Sequence, residues 1–200
     1  MSKIFIEGPI VLATHNEDKI RSFREALKGL HIEILTAKSL DIESPDETES
    51  TISGNAILKA RWVSERSGLA AIADDSGFCI SAIGDLPGPN ALEWAGPHRN
   101  FDLAVARVGE HLERAGAWDG PARFVSCVAV ALPYGTADFE EAETPGRLIW
   151  PPRGDNNGYR SIFAFSGETT SVAEAGKSEI YGHRNVAVQT LIGRMHFSTA

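Results

Sequence analysis

Residues 70–83 read AAIADDSGFCISAI, two apolar runs separated by the adjacent carboxylates Asp74 and Asp75 and then by Ser76 and Gly77. Ala70–Ala73 and Phe78–Ile83 have the length and composition of strands. Asp75–Gly77 supplies turn chemistry, so the stretch predicts an antiparallel pair with two acids at the end of its first strand. A helical stripe from Asn55 to Ser67 precedes it. Outward from there, further strands are expected at Ile4–Ile6, Ile10–Thr14, Ile32–Thr36, Arg123–Leu132 and Arg147–Trp150. Helical spacing recurs over Glu17–Leu30, Phe101–Arg114 and Asn185–Met195. In the first of these, Ile20, Phe23, Leu27 and Leu30 share a face, and Asn16, Glu17 and Asp18 form an N-terminal signal. Alternating strands and helices around one antiparallel pair give an α/β class with a mixed sheet.

The chain has 200 residues, 42% of them hydrophobic and 23% charged. A chain of that size buries well over half of its unfolded surface. No repeat or long polar linker divides it, so residues 1–200 are read as one domain, at most with two lobes. Nineteen Lys and Arg against 27 Asp and Glu leave a net charge of −8, the wrong sign for holding nucleic acid through many phosphates. A small anion carrying its own metal ion remains compatible with that balance. The first residues lack the apolar length of a secretory signal, and no run reaches the roughly 18 apolar residues of a membrane helix. A cytoplasmic protein is expected. Cys79 and Cys127 stand alone in apolar runs and read as buried reduced thiols, which argues against zinc and disulfides.

Three segments could carry chemistry. Thr14-His15-Asn16-Glu17-Asp18-Lys19 lies between a strand and a helix, where free N–H groups and the helix dipole favour an anion. By itself it reads better as a capped helix with a surface lysine, and neither glycine-rich phosphate cradle occurs in the chain. Asp74-Asp75-Ser76-Gly77 is the stronger signal. A hairpin needs only one acid, and one carboxylate facing substrate could bind Mg²⁺, which takes few protein ligands and completes its shell with water and phosphate. Glu47, in an acidic loop, and Lys59, on the helix expected to start near Asn55, are solvated residues on their own terms. His183-Arg184, opening the last helix, offers two donors for a carbonyl oxygen or an anion, although in isolation such a pair reads more readily as an exposed helix cap. No histidine has ligand spacing and no serine sits in a nucleophile elbow.

Taken in order, Thr14-x-Asn16-x-x-Lys19, Glu47-Thr48-x-x-Thr51, Asn55-Ala56-x-x-Lys59-Ala60, Ala73-Asp74-Asp75-Ser76-Gly77, Pro87-Gly88, Gly158-Tyr159 and His183-Arg184 resemble the inosine triphosphate pyrophosphatase family, also called Ham1-like. The resemblance spans about residues 10 to 195. It implies a three-layer α/β/α fold with a long central mixed sheet and two lobes around a nucleotide cleft. It further implies a homodimer and Mg²⁺-dependent hydrolysis of (d)ITP and XTP to monophosphate and pyrophosphate. By the same resemblance, Thr14, His15, Asn16, Lys19 and Lys59 bind the phosphates and Asp75 is metal ligand and proton acceptor. Glu47 is a second metal ligand, with the adjacent Asp74 counted in the same metal set, Ser76 contacts substrate, and His183-Arg184 face the purine 6-keto group. Donors there accept a keto oxygen and reject the amino group of adenine by leaving polar groups unpaired.

The base-binding loop departs from that pattern. The family's Phe-Gly-Tyr-Asp-Pro appears here as Asn157-Gly158-Tyr159-Arg160-Ser161, which removes an aromatic, an acid and a proline and reverses the local charge. Lys177, a base contact by the same resemblance, stands six residues before His183, where the family's lysine stands five before; Gly182 replaces a serine, Gly54 a glutamate and Ile52 a phenylalanine. These changes leave open the same chemistry with altered base preference, or a nucleotide-binding relative without turnover.

Overall fold

A computed structural model describes residues 3–155, 158–176 and 182–198. Its strands are β1 (Ile4–Glu7), β2 (Ile10–Leu12), β3 (Ile34–Thr36), β4 (Ala70–Ile80), β5 (Leu86–Gly88), β6 (Pro121–Ala131), β7 (Ala137–Leu148), β8 (Phe163–Phe165) and β9 (Met195–Ser198). Its helices are α1 (Glu17–Ala26), α2 (Ile52–Ser67), α3 (Phe101–Ala115) and α4 (Gly182–Ile192), with short 3₁₀ turns between elements. The main sheet has the order β3-β2-β4-β6-β7-β8, with β5 paired to β4; β1 and β9 form a separate parallel pair. Among the described residues no helix is long and apolar enough to cross a membrane.

The chain forms two compact units, one comprising the residues up to Asp75, Ser126–Ala142 and the segment from Arg184, the other Ser76–Val125 and Glu143–His183. In the first, β2 pairs parallel with β3 and with β4, placing Leu12 beside Thr36 and Ile72. Ile10, Leu12, Ala70 and Ile72 share a buried cluster with Ile20, Phe23 and Leu27 of the α1 segment and Ala187, Val188 and Leu191 of α4. Because strand side chains alternate, the other face of β4 carries Ala71, Ala73 and Asp75. Ala56, Ala60 and Val63 of α2 are buried, and α2 lies against β2. In the second unit, Phe78 and Ile80 pack with Ala104, Val108 and Leu112 of α3 and with Tyr159 and Phe163.

Several expectations from the sequence are corrected. The Asp75–Gly77 segment is no turn: β4 runs without a break from Ala70 to Ile80, and its antiparallel partner is β5, with Phe78 opposite Gly88 and Ile80 opposite Leu86. Ser76 and Gly77 are tolerated mid-strand because sheet pairing on the flanks decides the conformation, overriding local turn preference. The first helix ends at Ala26 rather than Leu30, since Lys28 and Leu30 turn back onto Glu25 and Leu27 and Gly29 adopts φ +89°. Helix α2 begins at Ile52, before Asn55, because Thr51 caps it through Gly54 N–H at 3.0 Å. Most of β7 and all of β5, β8 and β9 lie where no strand is expected. Along β7 exposed positions alternate with half-buried ones, and acids occupy both sets, Asp138 and Glu140 half-buried and Glu141 and Glu143 exposed, so no apolar alternation marks the strand.

Candidate active site

The first unit holds a cluster of ionised side chains around the middle of β4. The turn after β2 enters α1 through Asn16, whose side-chain oxygen accepts from Asp18 N–H at 2.9 Å and Lys19 N–H at 3.4 Å. Thr14 Oγ1 accepts from Asn16 N–H at 3.2 Å, and His15 Nδ1 lies 2.9 Å from Ser44 Oγ. These bonds fix the helix start, and Lys19, in its first turn, places Nζ 2.9 Å from Asp74 Oδ2. Arg184, at the start of α4, brings Nε to 3.2 Å from the same oxygen.

The opposite face of β4 carries Asp75. Lys59 of α2 donates to Asp75 Oδ1 at 2.8 Å and to Glu47 Oε1 at 3.3 Å. The loop bearing Glu47 is held by α2's first turn, where buried Asn55 accepts Glu49 N–H at 3.0 Å. Gly54 matters here: a Cβ would lie 2.8 Å from both Glu49 Cβ and Thr51 Oγ1, so any side chain would push the loop from its seat. That Asn55 and Thr51 position Glu47 is not apparent in the sequence; the Thr51-x-x-Gly54 spacing of a cap is the one local signal for it.

Burial pushes the Asp75 carboxyl up to about 6, only partly offset by Lys59, while Glu47 adds a further upward push. Burial would lower Lys59, but Asp75 and Glu47 outweigh it and its pKa is raised, so the ammonium stays charged at neutral pH. Asp75 Oδ2 is buried and has no hydrogen-bond partner among the described residues. An orphaned carboxylate oxygen beside half-exposed Glu47 fits a hard divalent cation that takes two carboxylates and completes its shell with water and phosphate oxygen. Among the described residues there is no group of three or more His, Cys, Asp and Glu suited to a closed protein cage. Asp74, expected beside Glu47 and Asp75, instead faces Lys19 and Arg184, because consecutive residues of a strand point to opposite faces.

In the second unit, His183 is 4% exposed and its Nδ1 lies 2.9 Å from Thr144 Oγ1, which fixes the ring. Gly158 takes φ +58° against the Phe101 ring, and buried Tyr159 donates its hydroxyl to Ala91 C=O at 2.8 Å. Burial raises the Tyr159 pKa, so the phenol stays protonated. Tyr159 packs against Phe78 at 5.1 Å between centroids, so its ring and hydroxyl are both engaged within the unit's core. Arg160 and Ser76 are half-buried, and Ser161 Oγ donates to Gly158 C=O at 2.7 Å. Asn157 and Lys177 lie outside the described residues.

The sequence model of the Ham1 family matches residues 10–194. The chain is 38% identical over 195 residues to a dITP/XTP pyrophosphatase of Gluconobacter oxydans, covering 96% of this chain and 93% of that one. It is 43% identical over 166 residues to a dITP/XTP pyrophosphatase of Caulobacter vibrioides, covering 82% and 85%. Among solved structures, a HAM1 protein from Coxiella burnetii superposes with a TM-score of 0.81 at 31% identity over 93% of this chain and 96% of that one. A nucleoside-triphosphatase / dITP/XTP pyrophosphatase from Mycobacterium abscessus gives a TM-score of 0.78 at 28% identity, covering 92% and 97%.

Proposed function

The chain belongs to the Ham1 family, and from that premise we propose that it is a Mg²⁺-dependent pyrophosphatase of non-standard purine nucleoside triphosphates, dITP and XTP foremost. The observation that carries this reading is the Lys59–Asp75–Glu47 cluster with its unsatisfied Asp75 Oδ2. Water attacks the α-phosphorus, the bond from that phosphorus to the α,β-bridging oxygen breaks, and the monophosphate and pyrophosphate leave. Asp75 is the group that takes the proton of the attacking water. Lys59 keeps that carboxylate aimed, and Lys19 supplies positive charge for the departing pyrophosphate. Glu47 and Asp75 would hold the Mg²⁺, which when bound neutralises charge on the phosphate oxygens. Arg184 and His183 donate toward the purine 6-position, favouring a keto oxygen over an amino group.

The reading also makes the protein a cytoplasmic homodimer. The test is pyrophosphate release from dITP, XTP, dGTP, dATP, dTTP and UTP, with Mg²⁺ and with EDTA, beside Asp75→Asn. Release centred on dITP and XTP and abolished by EDTA and by the substitution supports it. Binding without release would move the chain out of the enzymes. Arg160, half-buried in the segment where the family carries an acid, supports a second reading of altered base preference, which activity centred on another base in the same panel would favour.

A further inference from the structure

Two adjacent acids on β4 serve two cation sets of opposite character. On one face Asp75 and Glu47 surround a single ammonium, Lys59, and the trio carries one net negative charge at neutral pH. On the other, Asp74 is met by Lys19 and Arg184, and the trio carries one net positive charge. A divalent cation is attracted to the first trio and repelled by the second; an anion is attracted to the second. The Asp74 side chain is fully buried, while those of Lys19 and Arg184 keep 20% and 17% of their surface exposed. Asp74 Oδ2 takes both cations as close ion pairs outside hydrogen-bond alignment, and Oδ1 is buried with no hydrogen-bond partner among the described residues.

We propose that Asp74 is a positioning residue, not a metal ligand: through one oxygen it sets the aim of the phosphate-facing Lys19 and the base-facing Arg184 together. Lysine and arginine each lose considerable rotamer freedom on meeting a ligand. An anchored carboxylate on a strand, between the first turns of α1 and α4, removes that freedom before substrate arrives. Because both cations share one anchor, a change at Asp74 disturbs phosphate binding and base choice in the same step. The substrate half of this inference rests on the pyrophosphatase reading above; the anchor itself does not.

The test compares Asp74→Asn, Arg184→Met and the double variant with the wild-type chain. With Asp74→Asn, KM for dITP rises about tenfold, kcat falls because the charge of Lys19 on the leaving group is no longer aimed, and the dITP-over-dATP preference in kcat/KM falls by about tenfold. In the Arg184→Met background, Asp74→Asn causes no further loss of preference, since both act through one contact. The ¹⁵N-arginine Nε–H signal of Arg184, assigned by its loss in Arg184→Met, shows a high order parameter in the wild type and a low one in Asp74→Asn. Mn²⁺ affinity read by EPR stays unchanged in Asp74→Asn and drops in Asp75→Asn. Should Asp74→Asn not fold, Asp74→Glu keeps the charge, displaces the anchor by one methylene and is read the same way. Weakened Mn²⁺ binding in Asp74→Asn overturns the proposal in favour of a metal ligand. An unchanged Arg184 signal, or an unchanged base preference in an active enzyme, overturns it as well. A wild-type chain that hydrolyses nothing removes the pyrophosphatase reading and the substrate role of Asp74 with it, while the Arg184 order parameter still reports whether the anchor exists.

Discussion

Lys59 lies 2.8 Å from Asp75 Oδ1 at a point where α2 meets β4, and the same ammonium reaches Glu47 at 3.3 Å. It therefore neutralises part of the repulsion between two carboxylates that must stay close to share a cation. Replacing it by methionine keeps the volume and removes the charge. Lys59→Met is expected to lower the rate of pyrophosphate release from dITP by about 100-fold or more, the scale of losing one preorganised charge. The Asp75 carboxyl, freed of its main downward influence, titrates above its native value of about 6. Initial rates and a pH titration of the variant check both.

Metal affinity carries a pH signature with a defined sign. A proton and a divalent cation compete for Asp75, whose carboxyl is raised to about 6 in the metal-free protein. Binding of Mn²⁺ is thus expected to be flat above that pH and to weaken as pH falls through it, by up to about tenfold per unit. Calorimetry in buffers of different ionisation enthalpy gives about one proton released per ion bound near pH 5 and close to none at pH 8. A proton release that grows with pH contradicts the assignment of Asp75.

Away from the site, Arg123 grips Asp85 with two donors, at 2.9 and 3.0 Å. Hydrogen bonding to Arg123, opposed by burial, holds the Asp85 carboxyl below its ordinary 3.8. The pair's contribution is therefore present above that value and is lost as pH falls through the lower folded one. Half of the Asp85 side chain is exposed, so the contribution is below about 1 kcal/mol. Asp85 adopts φ +62°, which asparagine also tolerates, so Asp85→Asn isolates the charge. Urea midpoints should separate wild type from variant at pH 6 and converge near pH 2.

Gly158 is held at φ +58° with the Phe101 Cβ 2.9 Å from where its own Cβ would stand. Gly158→Ala combines a left-handed backbone with a steric conflict and is expected to cost about 1–3 kcal/mol, read as a lowered unfolding midpoint. Tyr159→Phe, by contrast, keeps the packing and leaves the Ala91 carbonyl without its donor, at about 1 kcal/mol.

How far the chain could be read in advance depended on whether a signal was local. Asn16, Glu17 and Asp18 announce α1 within four residues, and the stripe ending at Ser67 marks the C-terminus of α2 correctly because Gly68 follows in a left-handed cap. The α/β class and the mixed sheet follow from such segments. By contrast, β9 is paired with β1 at the far end of the chain, so Met195–Ser198 has no nearby cue. At the site, the residue types were legible and their grouping was not. Asp74 and Asp75 read as one acidic pair; only the continuity of β4 assigns them to different partners. His183 read as an exposed helix cap, whereas it is buried against Thr144, 39 positions away, a contact that spacing does not encode.

The uninterrupted course of β4 makes the length of this strand as constrained as its composition. A substitution at Ala71 or Ala73 changes the volume of one side chain and leaves every other residue on its own side of the sheet. Deleting or inserting one residue between Ala70 and Ala73 reverses the parity of every later position in the strand: either the two carboxylates exchange sides or the pairing with β2 slips to prevent it. Asp75 would then meet Lys19 and Arg184, and Asp74 would meet Lys59, with charges conserved and geometry lost. Within this segment a point change preserves the placement of both carboxylates, and a change of length does not.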